Sequence, residues 1–134
     1  MAIIPITEHD PSFKENWQGQ TVPPHVRGGI VRYIMQGVPT GSFLEAVISN
    51  DLRQALGKAD DKNRTNLFAI VCWFHNHAPS FCWGSPARYR AWLHAHELAR
   101  KGGDLSAAAD AAHDAETRNI FQSVRFICAA GGEQ

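Results

Sequence analysis

Apolar residues along this chain recur mainly at helical spacing. Val26, Ile30, Tyr33 and Ile34 share one face of a first helix, opened by Pro23 and Pro24 and stopped by Gly37 ahead of Val38 and Pro39. Leu44, Val47, Ile48, Leu52 and Ala55 form the stripe of a second helix. Ser42 and Glu45 fit a capping box at its start, in which the serine oxygen and the glutamate each satisfy a free backbone N–H. Leu67, Ile70, Val71 and Phe74 mark a third, capped by Asp60 or Asp61 and running to about His77, ahead of Pro79. Ser85 and Pro86 start a fourth, with Trp92, Ala95, Leu98 and Ala99 turned inward and Gly102 and Gly103 as its stop. A fifth covers residues 105–129, with Ile120, Val124 and Ile127 as its seam, although residues 120–128 also read as a strand. The expected architecture is all-α, a single domain of four to five helices over residues 23–130. An irregular N-terminal arm, residues 1–22, precedes it and lies on the domain or on a neighbouring subunit.

Two features break the pattern. Asp51 falls at the middle of the second stripe, and Asn63 and Arg64 fall on the edges of the third. Burying a lone carboxylate costs several kcal/mol, so the spacing predicts an Asp51–Arg64 pair, with Asn50 or Asn63 completing a polar network. Such a network either fixes helix register or lines a pocket that reads a ligand's polar edge.

Composition narrows the function classes. The chain has 134 residues, 44% of them apolar and 19% charged, which suits a globular domain rather than a disordered one. Thirteen basic residues balance thirteen acidic ones, so no clustered positive field is expected and nucleic acid is not an expected partner. Residues 1–10 carry no basic region and no long apolar run, and no apolar stretch approaches a membrane span. Cysteines at 72, 82 and 128 have no framework spacing. The expectation is a cytoplasmic protein with reduced thiols and no membrane partner.

Chemistry concentrates in residues 72–86, which hold two of the four tryptophans and two of the three cysteines. His75, His77, Cys82, His94 and His96 are possible zinc ligands, but helical residues two apart point about 200° away from each other. Helix-end or surface histidines are the simpler reading, and no metal or cofactor is assigned. Cys72 and Cys82 read as packed thiols, no hydrolase, P-loop or zinc-protease motif is present, and no catalytic residue is assigned. Gly41-Ser42 and Gly84-Ser85 each open a helix, where free N–H groups and a glycine admit a phosphate, though the same pairs also serve as plain caps. Trp73 and Trp83 are candidates to stack on a base, and Arg53, Arg64 and Arg88 to neutralise charge. The candidate ligand-binding set is Ser42, Asn50, Asp51, Arg64, Trp83, Gly84 and Ser85.

Four segments, GIVRYI from Gly29, GVPTGSFLEAVISNDL from Gly37, ADDKN from Ala59 and APSFCWGSP from Ala78, together with Trp92, resemble a group of short phage and prophage proteins of unassigned function. The resemblance covers residues 26–93 and supplies no catalytic residue. It implies a viral or mobile-element origin. With the Gly-Ser helix starts and the polar misfits, it suggests a non-enzymatic binding protein, a sponge that sequesters a phosphate-bearing, nucleotide-like signal against host defence, a reading compatible with a homo-oligomer. One alternative is an inhibitor or adaptor that contacts a host defence protein and has no pocket. The other is a small hydrolase or metal-binding protein.

Overall fold

The computed structural model describes residues 6–131. Pro24 takes the first position of α1 (Pro24–Gln36), where its missing N–H does no harm. Gly37, at φ +64, closes α1 as a left-handed cap, its N–H donating to the Tyr33 carbonyl at 3.0 Å. The helices that follow are α2 (Ser42–Ile48), α3 (Leu52–Lys58), α4 (Asp61–Thr65), α5 (Leu67–His77), α6 (Pro86–Arg100), α7 (Leu105–Ala111) and α8 (Ala115–Gly131). Among the described residues there is no strand, only an isolated bridge between Trp17 and Gln20. The all-α expectation holds, and residues 120–128 are helical, not a strand.

The expected count of four to five helices is corrected to eight among the described residues, because three of the expected helices are each split in two. Each split falls where Ser, Asn or Asp side chains compete with the helical backbone for hydrogen bonds. After Ile48 the chain reverses at Asn50 (φ +62), and Asp51 opens α3. Between α4 and α5, Asn66 Nδ2 donates to the Lys62 carbonyl at 2.9 Å, while its Oδ1 accepts the arm's Thr21 N–H at 3.3 Å. Between α7 and α8, Asp114 accepts the Thr117 N–H at 2.7 Å and caps the new helix.

The core gathers where α6 crosses the end of α1 and where α8 lies on α6 and α7, with Ile120, Val124 and Ile127 buried. Tyr33 stacks on Tyr89 at 5.3 Å, and its hydroxyl donates to the Cys82 carbonyl at 2.7 Å. Three side chains one turn apart on α6 then donate to carbonyls at the end of α1. Trp92 Nε1 donates to Tyr33 O and Ile34 O at 3.1 and 3.2 Å, His96 Nε2 to Ile34 O at 3.1 Å, and Arg100 to Gln36 O at 2.6 Å. Since a carbonyl only accepts, His96 carries its proton on Nε2.

The arm lies on its own domain, along α5. Phe13 stacks on Trp73 at 4.6 Å, Trp73 Nε1 donates to Ser12 Oγ at 2.8 Å, and His77 meets Glu15 at 2.6 Å. No described helix is long and apolar enough to cross a membrane.

Candidate functional site

An open cleft of about 530 Å³ lies between α1, the start of α2, the end of α3 and α4. Its floor is apolar, from Val26, Phe43 and Leu44. Its walls are polar. Arg32 projects from α1 and Lys58 from the end of α3, and neither side chain has a hydrogen-bond or ion-pair partner among the described residues. Glu8 Oε2 and Arg32 Nη1 both lie beside Gly28, 3.0 and 2.9 Å from where a Cβ there would sit, so a carboxylate stands near Arg32 without reaching ion-pair distance. Asp60, the one carboxylate among the described lining residues, is held by its neighbours in the wall, its Oδ1 accepting the Asn63 N–H at 2.7 Å and its Oδ2 meeting His25 Nε2 at 3.0 Å. The Asn63 N–H, and then His25, hold the Asp60 carboxyl below the usual carboxylate range. Among its lining residues the cleft carries two cations, Arg32 and Lys58, against one carboxylate, Asp60, over apolar side chains.

Asn63 completes the wall. It is 5% exposed, whereas its neighbours Lys62 and Arg64 face solvent. Its side-chain amide makes no hydrogen bond among the described residues, and its Oδ1 is buried without a partner.

The residues singled out from the sequence divide in two. Ser42 lines this cleft and also a smaller depression of about 290 Å³ between α2 and α3, where Asp51, Glu45 and Gln54 sit. Asn50, Asp51 and Trp83 line a third, mostly apolar depression of about 170 Å³ between α3 and α5. Gly84 and Ser85 build the neighbouring corner rather than a cavity. The Gly84 N–H donates to Ile48 O at 2.7 Å, and Ser85 Oγ accepts the Arg88 N–H at 3.1 Å as the cap of α6. Arg64 lines none of these cavities and pairs with Asp61 at 3.1 Å.

Three expectations are corrected here. Asp51 is not buried on an apolar stripe and does not pair with Arg64. The reversal at Asn50 makes Asp51 an exposed cap of α3 that accepts the Gln54 N–H at 3.1 Å. The same change of register turns Leu52 outward, leaving it 64% exposed. Ser42 does not cap α2, because Gly41 holds the cap position and Ser42 is the first helical residue. Trp73 is fully buried against Phe13 and Phe74, so it is closed to a ligand, while Trp83 is half-buried against Phe74 at 5.4 Å. Asp51→Ala is expected to lower stability by about 1 kcal/mol and Asp51→Asn by almost nothing, as measured by chemical denaturation, since asparagine caps as well as aspartate.

Among the described residues, no three His, Cys, Asp or Glu side chains converge on one point. His96 is turned to Ile34 O and His77 to Glu15. Burial pushes the Cys82 thiol far up, which holds it as a packed thiol rather than a nucleophile. Arg88 is not free to neutralise a ligand. It bonds Glu116 at 2.6 Å and donates to the carbonyls of Ser80 and Trp83, pinning the 80–85 loop to α8.

Arg32 and Lys58 were not singled out from the sequence. Each is a lone cation on a polar helix flank, and only the packing of α1 against α2 and α4 makes them face one cleft. Asn63 did carry a signal, as a polar residue at the edge of an inward stripe three positions after an aspartate cap. Comparison with known proteins yields no matching family model, no matching curated protein and no matching solved structure.

Proposed function

We propose that this chain is a non-enzymatic binding protein that holds a small phosphate-bearing ligand in the cleft between α1, α2 and α4. The observation that carries this reading is the pair of cations, Arg32 and Lys58, without an ion-pair partner among the described residues, in a cleft whose one described lining carboxylate, Asp60, is bound to His25. A phosphate placed between them gains charge-assisted hydrogen bonds, which are the stronger kind. The cleft volume of about 530 Å³ lies within the range of small-ligand sites. The resemblance to short phage and prophage proteins supports a setting in which the bound ligand is a nucleotide-like host signal and binding keeps it from a defence effector.

The test is titration calorimetry with mononucleotides at low salt. Arg32→Ala and Lys58→Ala are each expected to weaken binding by about tenfold to a hundredfold, because a hydrogen bond to a charged group is worth about 1.5–3 kcal/mol. Both cations are exposed, so added salt should weaken binding of the unaltered protein as well. Affinity unchanged in both variants would refute the reading.

A second reading draws on the exposed apolar residues Leu52, Leu56, Phe68 and Val71 of α3 and α5, between 37% and 64% exposed. Leu52 and Val71 border the 170 Å³ depression. Such a surface suits an inhibitor or adaptor that covers a host defence protein. Capture of that protein in the absence of nucleotide, with no calorimetric signal from any phosphate compound, would favour it.

A further inference from the structure

We infer that His25 is the third cation of the cleft, and that it makes the cleft prefer a terminal phosphate monoester, with two negative charges, to a phosphodiester, with one. The inference rests on the cleft being the phosphate site and names the kind of phosphate that the site takes.

Helical spacing brings the groups together. His25, Gly29 and Arg32 line the cleft from α1 at positions i, i+4 and i+7, which is one stripe of a helix. Gly28 and Gly29 put no side chain between the two ends of that stripe. Arg32 reaches back into the gap, with Nη1 2.9 Å from where a Cβ of Gly28 would sit, so its guanidinium lies beside the residue that follows His25 by one turn. Lys58 enters from the end of α3.

The His25 ring is held by one nitrogen, since Asp60 Oδ2 lies 3.0 Å from Nε2. An ionised carboxylate only accepts hydrogen bonds, so Nε2 carries a proton and the nitrogen left for a ligand is Nδ1. Among the described residues Nδ1 has no partner. On a neutral ring it is a lone pair, which repels a phosphate oxygen. On an imidazolium it is an N–H, which donates a charge-assisted hydrogen bond. His25 therefore joins the site by taking up a proton, and a doubly charged phosphate favours that proton more than a singly charged one. Around the ring stand Asp60 at the α4 cap, Lys58 of α3, Arg32 of α1 and, beside Gly28, Glu8 of the arm. Of these residue types and histidine, histidine is the one whose charge changes between about pH 5 and 8.

The probes are AMP and cyclic AMP, which share base and sugar and differ in the phosphate, titrated by calorimetry at low salt from pH 7 to pH 8.5. AMP keeps its two negative charges through that range, since its last phosphate proton leaves at about pH 6. AMP is expected to bind about tenfold more tightly than cyclic AMP at pH 7, the value of one charge-assisted hydrogen bond, and to lose affinity as the pH rises. Its binding is expected to take up a proton, read as a heat that varies with the ionisation enthalpy of the buffer. His25→Gln is expected to abolish the proton uptake and most of the preference, because glutamine still offers Asp60 a donor but cannot become charged. His9→Gln, at the histidine beside Glu8, should alter neither. A preference or a proton uptake that survives in His25→Gln, or AMP that binds no better than cyclic AMP, would overturn the inference. If Arg32→Ala and Lys58→Ala still weakened binding in that case, the phosphate site itself would stand. Failure of both compounds to bind would overturn both.

Discussion

Gly37→Ala is expected to destabilise the fold by about 4 kcal/mol, the sum of backbone strain and steric overlap. Gly37 ends α1 at φ +64, a conformation that a Cβ disfavours. A methyl group there would also collide with the Cβ and ring of His96 on α6. That side chain cannot swing away, because the ring is buried and its Nε2 is bonded to Ile34 O. Relief requires α1 and α6 to part, and that draws Trp92 Nε1 off the carbonyls of Tyr33 and Ile34. Gly102→Ala supplies the comparison. Gly102 has φ +80 with open space around it, so only the strain applies, about 1–2 kcal/mol. Denaturant unfolding of the two variants checks the difference. Equal losses would show that α1 and α6 do not approach as closely as the Gly37–His96 contact requires. Because α1 also carries Val26 and Arg32 into the cleft, Gly37→Ala should weaken the proposed phosphate-ligand binding even where the protein remains folded.

The parts of this fold legible in the sequence are those fixed by neighbours along the chain. Pro24 and Gly37 bound α1, and Ser85 and Pro86 start α6, because each acts on its own backbone or the next turn. The inward seam of α8 is legible for the same reason. What escaped is the set of breaks. Ser49, Asn50 and Asp51 can ride on a helix surface or end the helix, and the choice is made from outside the segment. The Gly84 N–H, from a loop remote in sequence, takes the Ile48 carbonyl, and the reversal at Asn50 follows. Once the register changes there, Asp51 leaves the core and its expected pairing with Arg64 vanishes. The site follows the same rule. Ser42, Asn50, Asp51 and Trp83 all border cavities around α2 and α3, since the signals used to pick them were local. Arg32 and Lys58 come to line one cleft only through the packing of helices, which no local spacing encodes.

The ladder on α6 sets the response of this protein to acid. Burial, with a smaller contribution from nearby Arg100, pushes His96 down from its usual 6.5 to about 4. The folded state thus holds His96 neutral where the unfolded chain protonates it. Its contribution to stability is complete above pH 6.5 and is lost as the pH falls towards 4. Integrating between those values gives a loss of about 2 kcal/mol at pH 5 and about 3 kcal/mol at pH 4. Asp60, Glu97 and Asp114, whose carboxyls are held below their usual range by hydrogen bonds and nearby cations, also lose stability on acidification. His96→Gln separates the two effects, since glutamine retains a donor for Ile34 O but does not titrate. Stability measured by denaturant from pH 7.5 to pH 4 is expected to fall more steeply in the unaltered protein, by the amounts above, with the curves parallel above pH 7. Parallel curves throughout would mean that His96 is protonated inside the fold. The Nε2 bond to Ile34 would then tolerate a charged ring, and the junction of α1 with α6 would be wetter than its packing implies.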